Sequence, residues 1–172
     1  KERICSILSV RTASDRFLLN TYSRVPEELK NLLLKNDKRI LFVGIGNLLK
    51  KDDGVGVYIS SRIRKKSNIE ALTVEVSLEN YIGKINSIDP DMLVLIDCVE
   101  MGSVPGTYKL LSVSNIDDLT FNTHNISLKR LSEFFKMPVY LLGIQPEKID
   151  FGENISYLVK NVADKIIKQI NK

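Results

Sequence analysis

The chain has 172 residues, 44% hydrophobic and 27% charged, with a formal net charge of +4. A chain of this length and balance buries a sizeable single core, which excludes wholesale disorder. No apolar run approaches the about 18 residues of a membrane helix, and the lysines and arginines are scattered, so neither a membrane nor a nucleic-acid partner is expected.

In chain order, residues 1–37 lack a strong strand. Their apolar pieces are broken by Arg11, Asp15 and Arg16, which does not read as a signal peptide. Pro26-Glu27-Glu28 before Leu29, Leu32 and Leu33 reads as a short helix with acids in its first turn. This segment is taken as an N-terminal appendage packed on a domain formed by 38–172. Cys5 and Cys98 are too few for a disulfide framework, so a cytoplasmic location is expected.

From Lys38 the pattern alternates. Ile40 to Val43 is a continuous apolar run that suits a buried parallel strand. A helix is expected over about 54–66, with Val55, Ile59 and Ile63 on one face. Leu72–Val76 reads as a strand, and Tyr81, Ile82 and Ile85 mark a helix stopped near Asp89-Pro90. Met92–Ile96 is the strongest strand, and Thr107–Val113 a possible edge strand. A helix over 127–136, a strand over 139–144 and a helix over 155–170 complete the chain. The predicted fold class is α/β: a three-layer sandwich with a mainly parallel central sheet of about five strands and helices on both faces. Ligands in such folds bind beyond the carboxyl ends of the strands.

The chemistry-bearing residues fall at that edge. Gly44-Ile45-Gly46 opens like a dinucleotide fingerprint, but Leu49 stands where the third glycine belongs. Two carboxylates, Asp52 and Asp53, follow before the helix. One would suffice to cap it; the second needs another explanation. Asp97 ends the strongest strand, where burial costs free energy unless the carboxylate is paired or metal-bound. His124, the sole histidine, enters the helix at Ser127. Two acids and an imidazole suit a divalent transition metal with open positions. A Cys98/His124 hydrolase and a nucleotide-binding oxidoreductase stay open as alternatives.

Four segments together resemble the [NiFe]-hydrogenase maturation proteases, most closely the formate-hydrogenlyase and archaeal-type branch. They are Gly44 to Gly56, Leu93 to Asp97 with Pro105-Gly106-Thr107, Thr123 to Leu128, and Leu142 to Glu147. The resemblance spans about residues 39–170, with the motifs in family order. It implies an endopeptidase that removes the C-terminal extension of a nickel-loaded hydrogenase large-subunit precursor. It also implies that Asp53, Asp97 and His124 are the catalytic, nickel-contacting residues, with the nickel supplied by the substrate. Asn47 would shape the turn presenting Asp53. One departure is Glu75-Val76-Ser77-Leu78-Glu79-Asn80, where the family carries a Gly- and Thr-containing segment before its P-E-N ending; only Glu79-Asn80 keeps that ending. Another is Cys98, where the family commonly has Ala or Ser.

Overall fold

A computed structural model describes residues 27–34, 37–115 and 128–172. Helix α1 (Glu27–Leu33) precedes strand β1 (Ile40–Ile45). A 3₁₀ turn (Lys51–Gly54) then leads into helix α2 (Val55–Ser60). Strand β2 (Ile69–Glu75), helix α3 (Ile82–Ile88), strand β3 (Met92–Cys98) and strand β4 (Tyr108–Ser112) follow. Helix α4 (Leu128–Ser132), strand β5 (Val139–Ile144) and helix α5 (Tyr157–Ile170) complete the order.

The five strands form one sheet in the order β2-β1-β3-β5-β4. The expected α/β sandwich holds, with one difference. Strands β2, β1, β3 and β5 are parallel, whereas β4 pairs antiparallel with β5, Tyr108 opposite Ile144. Every residue of β1 and β3 is buried, because helices cover both faces. Alternation sorts the side chains. Ile40, Phe42, Val94, Ile96 and Cys98 pack with Leu29 and Leu32 of α1, Val55 and Ile59 of α2, and Val162 and Ile166 of α5. Leu41, Val43, Leu93 and Leu95 face the other way, against Ile85 of α3 and Leu128 and Leu131 of α4. The described end of segment 1–37 therefore contributes two leucines to the first of these cores.

Two helices are shorter than their apolar periodicity predicts, and in each case a distant asparagine ends them. Asn171 accepts the Arg64 amide at 2.8 Å and donates to the Arg62 carbonyl at 2.9 Å, so the chain leaves α2 well before residue 66. Asn86 donates to the Phe134 carbonyl at 2.8 Å and accepts the Lys136 amide at 3.1 Å, beyond the end of α4 at Ser132. Both side chains supply partners that further helical turns would otherwise provide. Strand β3 runs longer than predicted, because Asp97 and Cys98 pair with Gly143 and Ile144 of β5.

The sheet grows from β1 outward to β2 on one side and to β3 on the other. The crevice between the carboxyl ends of β1 and β3 is thus the point where the direction of winding reverses, the usual ligand position in open α/β sheets.

Candidate functional site

Asp53 and Asp97 border that crevice from its two sides. Asp53 lies in the 3₁₀ turn after β1, and Asp97 is the penultimate residue of β3. Two glycines allow the turn to sit this close. At Gly46, whose φ is +134°, a Cβ would stand 1.8 Å from the Asp53 carbonyl oxygen. At Gly56 a Cβ would stand 2.2 Å from the carbonyl oxygens of both Ile45 and Ile96. The first turn of α2 is thereby seated on the ends of β1 and β3, which brings Asp53 toward Asp97.

The adjacent acids divide their labour, and neither caps the local helix. Asp52 is fully buried and turned into the protein. Its Oδ2 accepts the amides of Glu147 and Lys148, each at 2.9 Å, and the Ser156 hydroxyl at 2.9 Å. Its Oδ1 accepts the Ser156 amide at 2.6 Å. Asp53 is half-buried, and its Oδ2 accepts the Asn47 amide at 3.0 Å. Asn47 in turn accepts the Leu49 amide at 2.9 Å through its side-chain oxygen, an Asx turn that folds the loop back onto Asp53. This is the shaping role expected of Asn47.

Asp97 is 4% exposed, and its Oδ1 accepts the Cys98 amide at 2.8 Å. Burial pushes its carboxyl up to about 8, opposed by the Cys98 amide and reinforced by the charge of Asp53. At neutral pH this favours the protonated carboxyl. Cys98 is buried against the opposite core. Its thiol is pushed far up, first by burial and then by the charges of Asp97, Asp53, Asp52 and Glu100. A thiol held protonated in this way is a poor nucleophile, which weighs against the Cys98 hydrolase alternative. The nucleotide alternative meets the Asp53 carboxylate at the turn where a pyrophosphate needs free amides.

His124 lies outside the described residues, as does the start of its expected helix at Ser127. Among the described residues no three His, Cys, Asp or Glu side chains form a metal-binding group. The described part of the site is therefore the Asp53/Asp97 pair.

Sequence reasoning passed over Gln145, which follows β5 and is 3% exposed. Its Oε1 accepts the amides of Met101 at 2.7 Å and Ser103 at 3.2 Å, and its Nε2 donates to Glu100 at 2.7 Å. One side chain thus holds the loop that leaves Asp97. The signal was present: a polar residue directly after a fully apolar strand needs buried partners.

Comparison with known proteins gives a consistent picture. The sequence profile of the family HycI, hydrogenase maturation protease, matches residues 54–172. A putative hydrogenase maturation protease of Methanocaldococcus jannaschii is 30% identical over 151 residues, covering 80% of this chain and 89% of that protein. The hydrogenase 3 maturation protease of Escherichia coli is 26% identical over 132 residues, covering 73% and 85%. The crystal structure of a [NiFe] hydrogenase maturation protease, HycI from Thermococcus kodakarensis, superposes with a TM-score of 0.75 at 26% identity, covering 84% of this chain and 97% of that one.

Proposed function

Given that the chain belongs to the hydrogenase maturation protease family, we propose that it removes the C-terminal extension of a nickel-loaded [NiFe]-hydrogenase large-subunit precursor. The substrate would be a folded protein with its nickel already seated on cysteines, and the cut would fall on the tail beside that metal. The reading places the reaction in the cytoplasm. It assigns the protease domain to 38–172, with 1–37 as an N-terminal appendage.

One observation carries this reading. Two carboxyl groups border the sheet's winding-reversal point, and burial pushes one of them, Asp97, up to about 8, with the charge of Asp53 adding to the rise. Such a pair is costly in an empty protein and is relieved by a divalent cation. Asp53 and Asp97 supply hard oxygen donors. With the imidazole of His124, the family resemblance makes a three-donor set with room for ligands from the precursor. In this account the three side chains recognise the precursor's nickel and so license the cut. Gripping the metal also fixes the tail beside it, and orientation of a peptide bond against a water is itself a large share of a hydrolytic barrier. Metal-assisted hydrolysis is the secondary hypothesis, in which nickel held at the site would polarise the scissile carbonyl or lower the pKa of the attacking water.

The test combines nickel-loaded precursor with the wild-type protein and with Asp53→Asn, Asp97→Asn and His124→Ala, and weighs the product. The expected result is loss of the tail mass with wild type only when nickel is present. Each variant should slow that loss at least about a hundredfold. Unimpaired cleavage by all three variants, or equal cleavage of nickel-free precursor, would refute the assignment.

A further inference from the structure

The two adjacent acids differ in burial, and the more buried one makes no contact with the proposed reaction. We infer that Asp52 is a positioning residue, which sets the direction of Asp53 by tying the 3₁₀ turn to the chain entering α5. The inference rests on the role given to Asp53 above.

Four donors converge on the Asp52 carboxylate: the amides of Glu147, Lys148 and Ser156, and the Ser156 hydroxyl. All come from the segment after β5, 95 to 104 residues further along the chain. Ser156 stands at the N-cap of α5, yet its hydroxyl goes to Asp52 and makes no cap bond to the helix. The backbone reinforces the same junction. Lys51 donates to the Gly152 carbonyl at 2.6 Å, Gly152 donates to the Leu49 carbonyl at 2.8 Å, and Lys50 and Gly152 form a parallel bridge. Lys51 itself has φ +48°, a left-handed conformation that a lysine adopts at a cost. The surroundings hold it there, immediately before Asp52.

The geometry of a 3₁₀ turn makes this junction bear on Asp53. With about three residues per turn, consecutive side chains point roughly 120° apart. Anchoring Asp52 inward therefore fixes which way Asp53 faces. Among the described residues the Asp53 carboxylate has one hydrogen bond, from the Asn47 amide within the same loop, which does not tie the turn to the rest of the protein. The four bonds to Asp52 do.

Three substitutions test the coupling. Ser156→Ala removes one donor and keeps the amide; Ser156→Thr restores the hydroxyl; Asp52→Asn puts an amide donor among four donors. The first readout is the single-turnover rate constant on nickel-loaded precursor at saturating enzyme, which a change in the folded fraction does not alter. The second is the amide resonance of Asn47 in the free protein, which reports on the Asp53 carboxylate. Ser156→Ala should slow cleavage about threefold to tenfold and Asp52→Asn by about thirtyfold or more, with Ser156→Thr near wild type. The Asn47 resonance should move in Ser156→Ala and Asp52→Asn and stay in place in Ser156→Thr. Should Asp52→Asn fail to fold, Ser156→Ala and Ser156→Thr carry the test. A wild-type rate constant, or an unmoved Asn47 resonance, in Ser156→Ala overturns the proposal and leaves Asp52 as a purely stabilising contact. If the wild-type protein leaves the precursor uncut, the functional reading falls. The Asn47 resonance alone then decides whether Asp52 directs Asp53.

Discussion

Gly56 packs so closely on Ile96 that a Cβ would stand 2.2 Å from the Ile96 carbonyl oxygen, with the Ile45 carbonyl at the same distance on the other side. This contact seats α2 on the ends of β1 and β3, and through the preceding turn it brings Asp53 to the edge where Asp97 sits. Backbone atoms on both sides cannot step aside as a flexible side chain could. Gly56→Ala should therefore destabilise the protein by about 3 kcal/mol through overpacking, measured as a lower denaturation midpoint. A midpoint within error of wild type would mean that α2 can lift off the sheet freely.

Asp97 gives the protein a pH dependence whose sign follows from its burial. Its folded-state pKa, about 8, lies above the unfolded value of 3.8. The folded state then holds a proton that the unfolded state has lost. The contribution to stability is fully present below pH 4, declines as pH rises toward 8, and levels off above it. Asp97→Asn keeps an oxygen for the Cys98 amide and removes the titration. Its melting temperature relative to wild type should rise between pH 5 and 8, by an amount on the order of a few kcal/mol in stability. A constant difference across that range would show that Asp97 is not the group that titrates. A variant more stable yet slower on precursor would also illustrate the usual conflict between a strained site and a stable fold.

Cys98→Ala separates the thiol from the acids. Cys98 is 6% exposed and packs in the core with Ile96 and Ile144. Removing its sulfur should cost about 1 kcal/mol by leaving a small void. Cleavage of nickel-loaded precursor at a temperature well below melting should remain within about twofold of wild type, because a thiol held protonated contributes no nucleophile. Loss of cleavage in a folded Cys98→Ala protein would revive the Cys98/His124 reading.

Most of the fold was legible along the chain, because it rests on local signals. The apolar runs at 40–43, 92–96 and 139–144 announced strands covered on both faces, and their alternation with helical periods announced the α/β class. The sequence also located Asp53 and Asp97, since a carboxylate at the end of a buried strand or beside a second one is chemically conspicuous. Other features depend on pairs of residues far apart, which no local pattern records. Asn171 and Asn86 end helices whose periodicity runs on. The antiparallel pairing of β4 with β5, at the edge of the open sheet, joins strands separated along the chain. The sequence by itself determined that two acids border one sheet edge. Only the tertiary structure decided that their neighbour Asp52 faces inward to Ser156, because a buried carboxylate takes whichever orientation supplies enough donors, and those donors lie a hundred or so residues away.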